Sequence, residues 1–305
     1  MRGLANFAMR GRSQAAMAAT VLAMLALLVP LLSILSSAVV ALVVMRKGLT
    51  DGLVVGAISA LASGLLAHLL LGSPLPVVGF MLVLWLPIWV LAVILRSTRS
   101  LDLVVQLALG FGLLLIGAFY LQLGEPQAQW AEILRPVAEG FVESQVMDAD
   151  RSQAFVQVMA AWMNGIFAAG FYFQLLLAML LARSWQAQLY NPGGFRAEFH
   201  ALRASRALGI VALPLLGFTL LQGTDAPALI RDIGLLVAPL FFLQGLAVAH
   251  GVVARTGMHT GWLIALYVLL FVAMPYAEIL VALIGLADVF SDFRGRAKPA
   301  TKAGQ

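Results

Sequence analysis

Repetition constrains this chain most: apolar runs of roughly bilayer length recur along it, among them residues 75–95 and 101–123. A helix rises 1.5 Å per residue, so about 20 apolar residues cross the ~30 Å hydrocarbon of a bilayer. Inside that layer every backbone N–H and C=O must find a partner within the protein, which leaves helices or closed barrels. These runs do not alternate polar and apolar positions, and that excludes a barrel. Of 305 residues, 62% are hydrophobic and 11% charged, too little polar material to clothe a soluble protein of this size. The expected fold is all-α, a polytopic transmembrane helical bundle of about 8–10 membrane segments.

Two apolar tracts are too long for one crossing and carry a proline in the middle. Residues 14–45 break at Pro30 and end in Arg46-Lys47; residues 261–290 break at Pro275. Each is read as a tight pair, 14–29 with 31–45 and 261–274 with 276–289, because proline interrupts the helical hydrogen-bond ladder. The remaining crossings are expected at 51–71, 75–95, 101–123, 154–182, 208–222 and 233–254. Arg2, Arg10 and Arg12 before an apolar run mimic a signal peptide, but no cleavage site stands out, so that run is kept as the first membrane helix.

Two polar interruptions divide the chain. Residues 124–153 are acidic, and within them Trp130, Ile133, Leu134, Val137 and Phe141 recur at helical spacing with Pro136 as a break. The pattern predicts one or two amphipathic helices on the outer membrane face. Residues 184–207 are basic. There Asn191-Pro192-Gly193-Gly194 signals a turn, and Phe195, Phe199 and Leu202 share one face of a short interfacial helix, opposite Arg196, His200 and Arg203. The expected domains are therefore 1–183, an N-terminal bundle; 184–207, a basic turn and interfacial helix; and 208–305, C-terminal membrane helices with a basic tail.

Charge orients this arrangement. With the N-terminus inside and ten segments, only Arg135, Arg151 and Arg231 of the 19 lysines and arginines fall outside, as the positive-inside rule requires. Both termini are expected in the cytoplasm. The same placement explains the basic balance without nucleic acid.

The chemistry-bearing motifs are few. There is no cysteine, which rules out disulfides, thiolate metal sites and thiol nucleophiles. No P-loop, H-E-x-x-H or G-x-S-x-G occurs, and the four histidines lack ligand spacing, so neither enzyme, metal nor cofactor is expected. Ionisable residues at membrane depth are the default functional hypotheses. Asp51, Asp102 and Asp288 fall near inner helix ends where water reaches them. His68 and Glu278 fall near outer ends and are the candidate lining of an outward-facing ligand pocket. The Asp148-Ala149-Asp150 pair in the outer loop is read as the cap of the sixth crossing, with a bound cation as the alternative. Small residues recur every four places at Ala15, Ala19 and Ala23 and at Gly56, Ala60 and Gly64, spacing that permits close helix contact within the chain or with a partner. Arg196, Phe199 and Arg203 are candidates for docking a membrane partner protein.

Two stretches, NPGGFRAEFHALRASRALG and GLADVFSDFRGR, together with the small-residue N-terminal helices, resemble the YybS-like family of uncharacterised bacterial inner-membrane proteins. That family is similar to the substrate-binding S subunits of energy-coupling-factor transporters. The resemblance implies a six-helix N-terminal unit, a first helix whose Ala15, Ala19 and Ala23 dock a coupling subunit, and a role in small-molecule uptake across the bacterial inner membrane. The rival expectation is a membrane scaffold that assembles or regulates other membrane proteins.

Overall fold

The computed structural model describes residues 2–297, the side chain of Pro76 excepted. Among them are fifteen α-helices, one π-turn, one 3-10 turn and no strand. Six helices are long and apolar enough to cross a bilayer, which makes this a multi-pass membrane protein. Backbone contacts group the chain into two compact units: 2–108 with 173–199, and 109–172 with 200–297. The grouping differs from the expected 1–183, 184–207 and 208–305, because two long helices each contribute residues to both units.

The first unit is built around a buried helix. α1 (Arg2–Arg10) and α2 (Arg12–Ala26) lead through a short turn to α3 (Leu32–Lys47), followed at once by α4 (Leu49–Leu71). Residues 36–45 of α3 are all buried, enclosed by α2, α4 and α6 (Leu86–Thr98). Serines replace bulk where these helices cross. Ser36 Oγ donates to Ala19 O at 2.8 Å and Ser59 Oγ to Ala16 O at 3.2 Å. The turn from α3 into α4 is made by Gly48 at φ 109°, a conformation that side chains with a Cβ rarely adopt.

The expected fourth crossing is a composite. α5 (Leu75–Phe80) runs into a π-turn at Met81–Trp85 and then into α6. Pro87 stands at the start of α6 and offers no N–H to the carbonyl four residues back. The ladder widens by one residue, and Leu86 N–H bonds to Met81 O instead. Trp85, buried by this turn, donates Nε1–H to Ser36 Oγ at 3.2 Å.

The second unit has α12 (Ala228–Thr256) at its centre, packed on α11 (Arg206–Gln222) and α14 (Tyr276–Ser291). Glycine sets the closest approach: a Cβ on Gly245 would collide with Val281 O, and one on Gly285 with Phe241 O. α7 (Leu101–Leu123), α8 (Pro126–Glu143) and α9 (Ala149–Tyr190) complete the set. α8 is a single helix. Pro136 lies inside it without breaking it, since proline removes one ladder bond from a helix already held by Trp130 against Phe119 and Phe167. α9 has 42 residues, about 63 Å, so it continues past the expected 154–182 at both ends. Asp148 Oδ1 accepts from Arg151 N–H at 2.8 Å and caps it, as expected.

Both proline-broken tracts fold as hairpins, but short ones. α2 and α3 have 15 and 16 residues, α13 (Gly261–Val272) and α14 have 12 and 16, lengths of about 18–24 Å. None spans the hydrocarbon alone. In the first hairpin, Arg12 pairs with Asp51, so the chain leaves and returns at one face of the unit. In the second, Arg294 reaches His200 O and packs by Gly251 near the end of α12, giving the same result. The tips are apolar and open: Leu28 is 80% exposed and Phe271 83%. The backbone at the first tip is satisfied locally, with Leu27, Leu28, Val29, Leu32 and Ser33 N–H all bonded. Such a tip suits hydrocarbon and not water. The ten expected crossings therefore become six long helices and two short hairpins.

Candidate polar centre within the second unit

Pro227 sets the start of α12, and the following turn brings Arg231 and Asp232 into the protein. Both are buried, 2% and 1% exposed. Expected in an outer loop, Arg231 is instead enclosed, because backbone carbonyls take up its protons. Nε donates to Ala161 O at 2.9 Å, and Nη1 to Thr224 O and Ala226 O at 2.9 and 3.1 Å. Its guanidinium lies 5.7 Å from the centre of the Trp162 ring. The arginine thus ties the turn before α12 to α9, and it makes no ion pair with Asp232.

Asp232 belongs to no sequence motif, yet it is where three helices converge. Its Oδ2 accepts from Tyr120 Oη of α7 at 2.9 Å and from Asn164 Nδ2 of α9 at 2.6 Å. The neighbour that makes room is Gly165: a Cβ there would lie 2.9 Å from Asp232 Cα and 3.2 Å from Oδ1. Two acceptors remain without donors, Asp232 Oδ1 and Asn164 Oδ1. Each unsatisfied buried acceptor costs about 1–3 kcal/mol. Among the described residues no cation forms an ion pair with this carboxylate, although the Arg231 charge and the Gly165 N–H both act on it.

Beside it lies a cavity of about 300 Å³ between α9, α11, α12 and α14. Its walls are apolar, including Trp162, Leu216, Leu235 and Leu283. Trp162 and Leu235 also flank the polar centre. Asp232 and Asn164 are not in the cavity's lining; Trp162 and Leu235 are what the two places share.

A second buried network closes the opposite end of this unit. Asp288, expected where water reaches it, is fully buried because α15 (Phe293–Arg296) folds back over it. Arg294 Nη2 donates to Asp288 Oδ2 at 2.7 Å, Gln244 Nε2 to the same oxygen at 3.2 Å, and Phe293 N–H to Oδ1 at 2.9 Å. Arg294 Nη1 donates to His200 O and Leu202 O, and Gln244 Oε1 accepts from Ala204 N–H at 2.8 Å. The Asp288 carboxylate is saturated with internal partners, and the network reads as a latch.

The remaining sequence candidates are scattered. His68 is exposed on α4 in the first unit, and Glu278 is half-buried in the first turn of α14 in the second; neither lines the apolar cavity. Ala15, Ala19 and Ala23 are buried at 0–2% exposure. α2 packs on α3 and α4, so this stripe is covered within the chain and is not an open docking face. A Cβ added to Gly56 or Gly64 would meet nothing within 4 Å. On α10 (Gly194–Ala201), Arg196 is exposed and Phe195 stacks on Phe199 with ring centres 6.0 Å apart. Arg203, beyond the helix, pairs with Asp292. The dispersed histidines are partly gathered: His200 and His250 lie 6.1 Å apart, and His250 Nε2 is 3.0 Å from Tyr267 Oη. Lys298 and Lys302 of the basic tail lie outside the described residues.

Residues 138–289 match a family described as a predicted membrane protein (DUF2232), just under half of the chain. The matched segment includes Asn164, Arg231, Asp232, Gln244 and Asp288. No curated protein and no solved structure matches the chain.

Proposed function

We propose that the protein binds a small amphiphilic molecule in the bilayer and takes part in its uptake, reading the ligand's polar end at Asp232 and Asn164. The observation that carries this reading is the pair of unpartnered buried acceptor oxygens, with an apolar cavity that shares Trp162 and Leu235 with their surroundings; the ligand's polar end would have to pass these neighbours to reach them. A hydroxyl or ammonium donor would satisfy these oxygens, and an ammonium would also neutralise the carboxylate. Two short proline-broken hairpins, one in each unit, are further support, because interrupted helices of this kind line sites in transporters.

On this reading the protein resides in the bacterial inner membrane with both termini in the cytoplasm, supported by the charge distribution. Energy would come from a coupling partner, since no nucleotide-binding motif is present. That partner would engage surfaces other than the buried alanines of α2. The test is thermal unfolding in nanodiscs against primary alkylamines and alkanols of graded chain length. A ligand at a hundred times its Kd raises stability by about 2.7 kcal/mol, and Asp232→Asn should abolish the rise for amines. No shift with any of these probes, or an undiminished shift in Asp232→Asn, would remove the proposal.

A scaffold role has one observation in its favour: exposed Arg196 and the stacked Phe195–Phe199 pair stand together on α10. Co-purifying proteins lost on substituting Arg196 and Phe199 would favour it over uptake.

A further inference from the structure

The first unit has a cavity of about 500 Å³ of quite different character. Its walls carry four arginines, Arg46, Arg96, Arg99 and Arg183, against one carboxylate, Glu198. Three helices, α3, α6 and α9, end at its rim, and each C-terminus contributes about half a negative charge. Those ends offset only part of the arginine charge, and about one and a half positive charges remain in excess.

The positive-inside rule explains why basic residues gather on one side of a membrane protein. It does not require them to converge on one cavity. Two of these side chains are fixed by hydrogen bonds. Arg96 Nη1 donates to Val44 O and Met45 O at 3.2 Å each, and its guanidinium packs against Gly48. Arg183 is clamped by both oxygens of Glu198 and donates to Gln186 Oε1 at 2.6 Å. Arg46 lies over the Tyr190 ring, 4.0 Å from its centre. Arg99 caps α6 in a left-handed conformation at φ 55°.

Planar guanidiniums match the tetrahedral oxygens of phosphate better than the point charge of a lysine would. We infer that this cavity is a binding site for a phosphate group, carried either by a soluble phosphorylated molecule or by an anionic lipid headgroup. Arg46 and Arg99 are the residues offered to it, because Arg96 and Arg183 already donate to the protein. The site is independent of the Asp232 centre, so either inference can fail alone.

The test uses the full chain in phosphatidylcholine nanodiscs, titrated with inorganic phosphate at constant ionic strength, and in matched nanodiscs containing phosphatidylglycerol. Thermal stability is the readout. A rise with phosphate in the zwitterionic discs supports a soluble ligand. A rise with phosphatidylglycerol, with no response to free phosphate, supports a lipid headgroup. Arg46→Gln and Arg99→Gln should each weaken the response about tenfold, measured as the shift from each variant's own unliganded transition. No response to either phosphate source, or an undiminished response in the double variant, overturns the assignment.

Discussion

Tyr120 and Asp232, 112 residues apart in sequence, are joined by a hydrogen bond of 2.9 Å from the phenol hydroxyl to the carboxylate. The bond ties α7 to α12 at the point where Asn164 brings in α9. Three helices thus meet on a single oxygen, while its twin is left unpartnered.

Because the two donors share one acceptor, their substitutions should not be additive. Tyr120→Phe removes a buried hydrogen bond, worth about 0.5–3 kcal/mol. In an Asp232→Leu background the same change should cost almost nothing. A double-mutant cycle from thermal unfolding in detergent measures the difference; equal costs in both backgrounds would show that the hydroxyl acts elsewhere.

Gly285→Ala drives a methyl into Phe241 O at the α12–α14 contact and should destabilise by about 1–3 kcal/mol or more. Gly56→Ala meets open space and should stay within about 1 kcal/mol of the parent. Comparing their transition temperatures separates a true close approach from a small residue that merely sits on a helix.

The chain has no cysteine, so single-cysteine variants report cleanly. Leu28→Cys and Phe271→Cys, at the two hairpin tips, should resist a membrane-impermeant maleimide from both sides of the bilayer. His259→Cys, exposed just before α13, should react from one side. Labelling of either tip at the rate of that control would mean that the hairpin emerges into water.

Acid should loosen the segment after α14. The Arg203 hydrogen bond, and then the Gly295 N–H, hold the Asp292 carboxyl below its ordinary value. A lowered folded-state pKa gives stability that is present above the unfolded pKa and lost as pH falls through the folded one. The Asp292 side chain is exposed, so screening keeps the effect small. Melting temperatures across the acid range should fall less steeply for Asp292→Asn than for the parent, and matching slopes would dismiss Asp292 as a contributor.

The helical class was legible from apolar run lengths alone, and the two hairpins from Pro30 and Pro275. What a linear reading misses is depth. Arg231 looks like a loop charge until the carbonyls of Ala161, Thr224 and Ala226 are seen around it. Asp288 looks water-accessible until Arg294 closes over it six residues later. Asp232 is inconspicuous because its partners lie 68 and 112 residues away. A signal was present all the same: an adjacent Arg-Asp pair soon after Pro227 at the head of an apolar helix, and a lone asparagine at position 164 inside an apolar run.

The Asp288 latch has a consequence for biogenesis. Gln244 and the carbonyls of His200 and Leu202 are made well before Asp288 and Arg294, the residues that complete their bonding. During synthesis the second unit therefore waits with polar groups unfilled until residue 294 has left the ribosome.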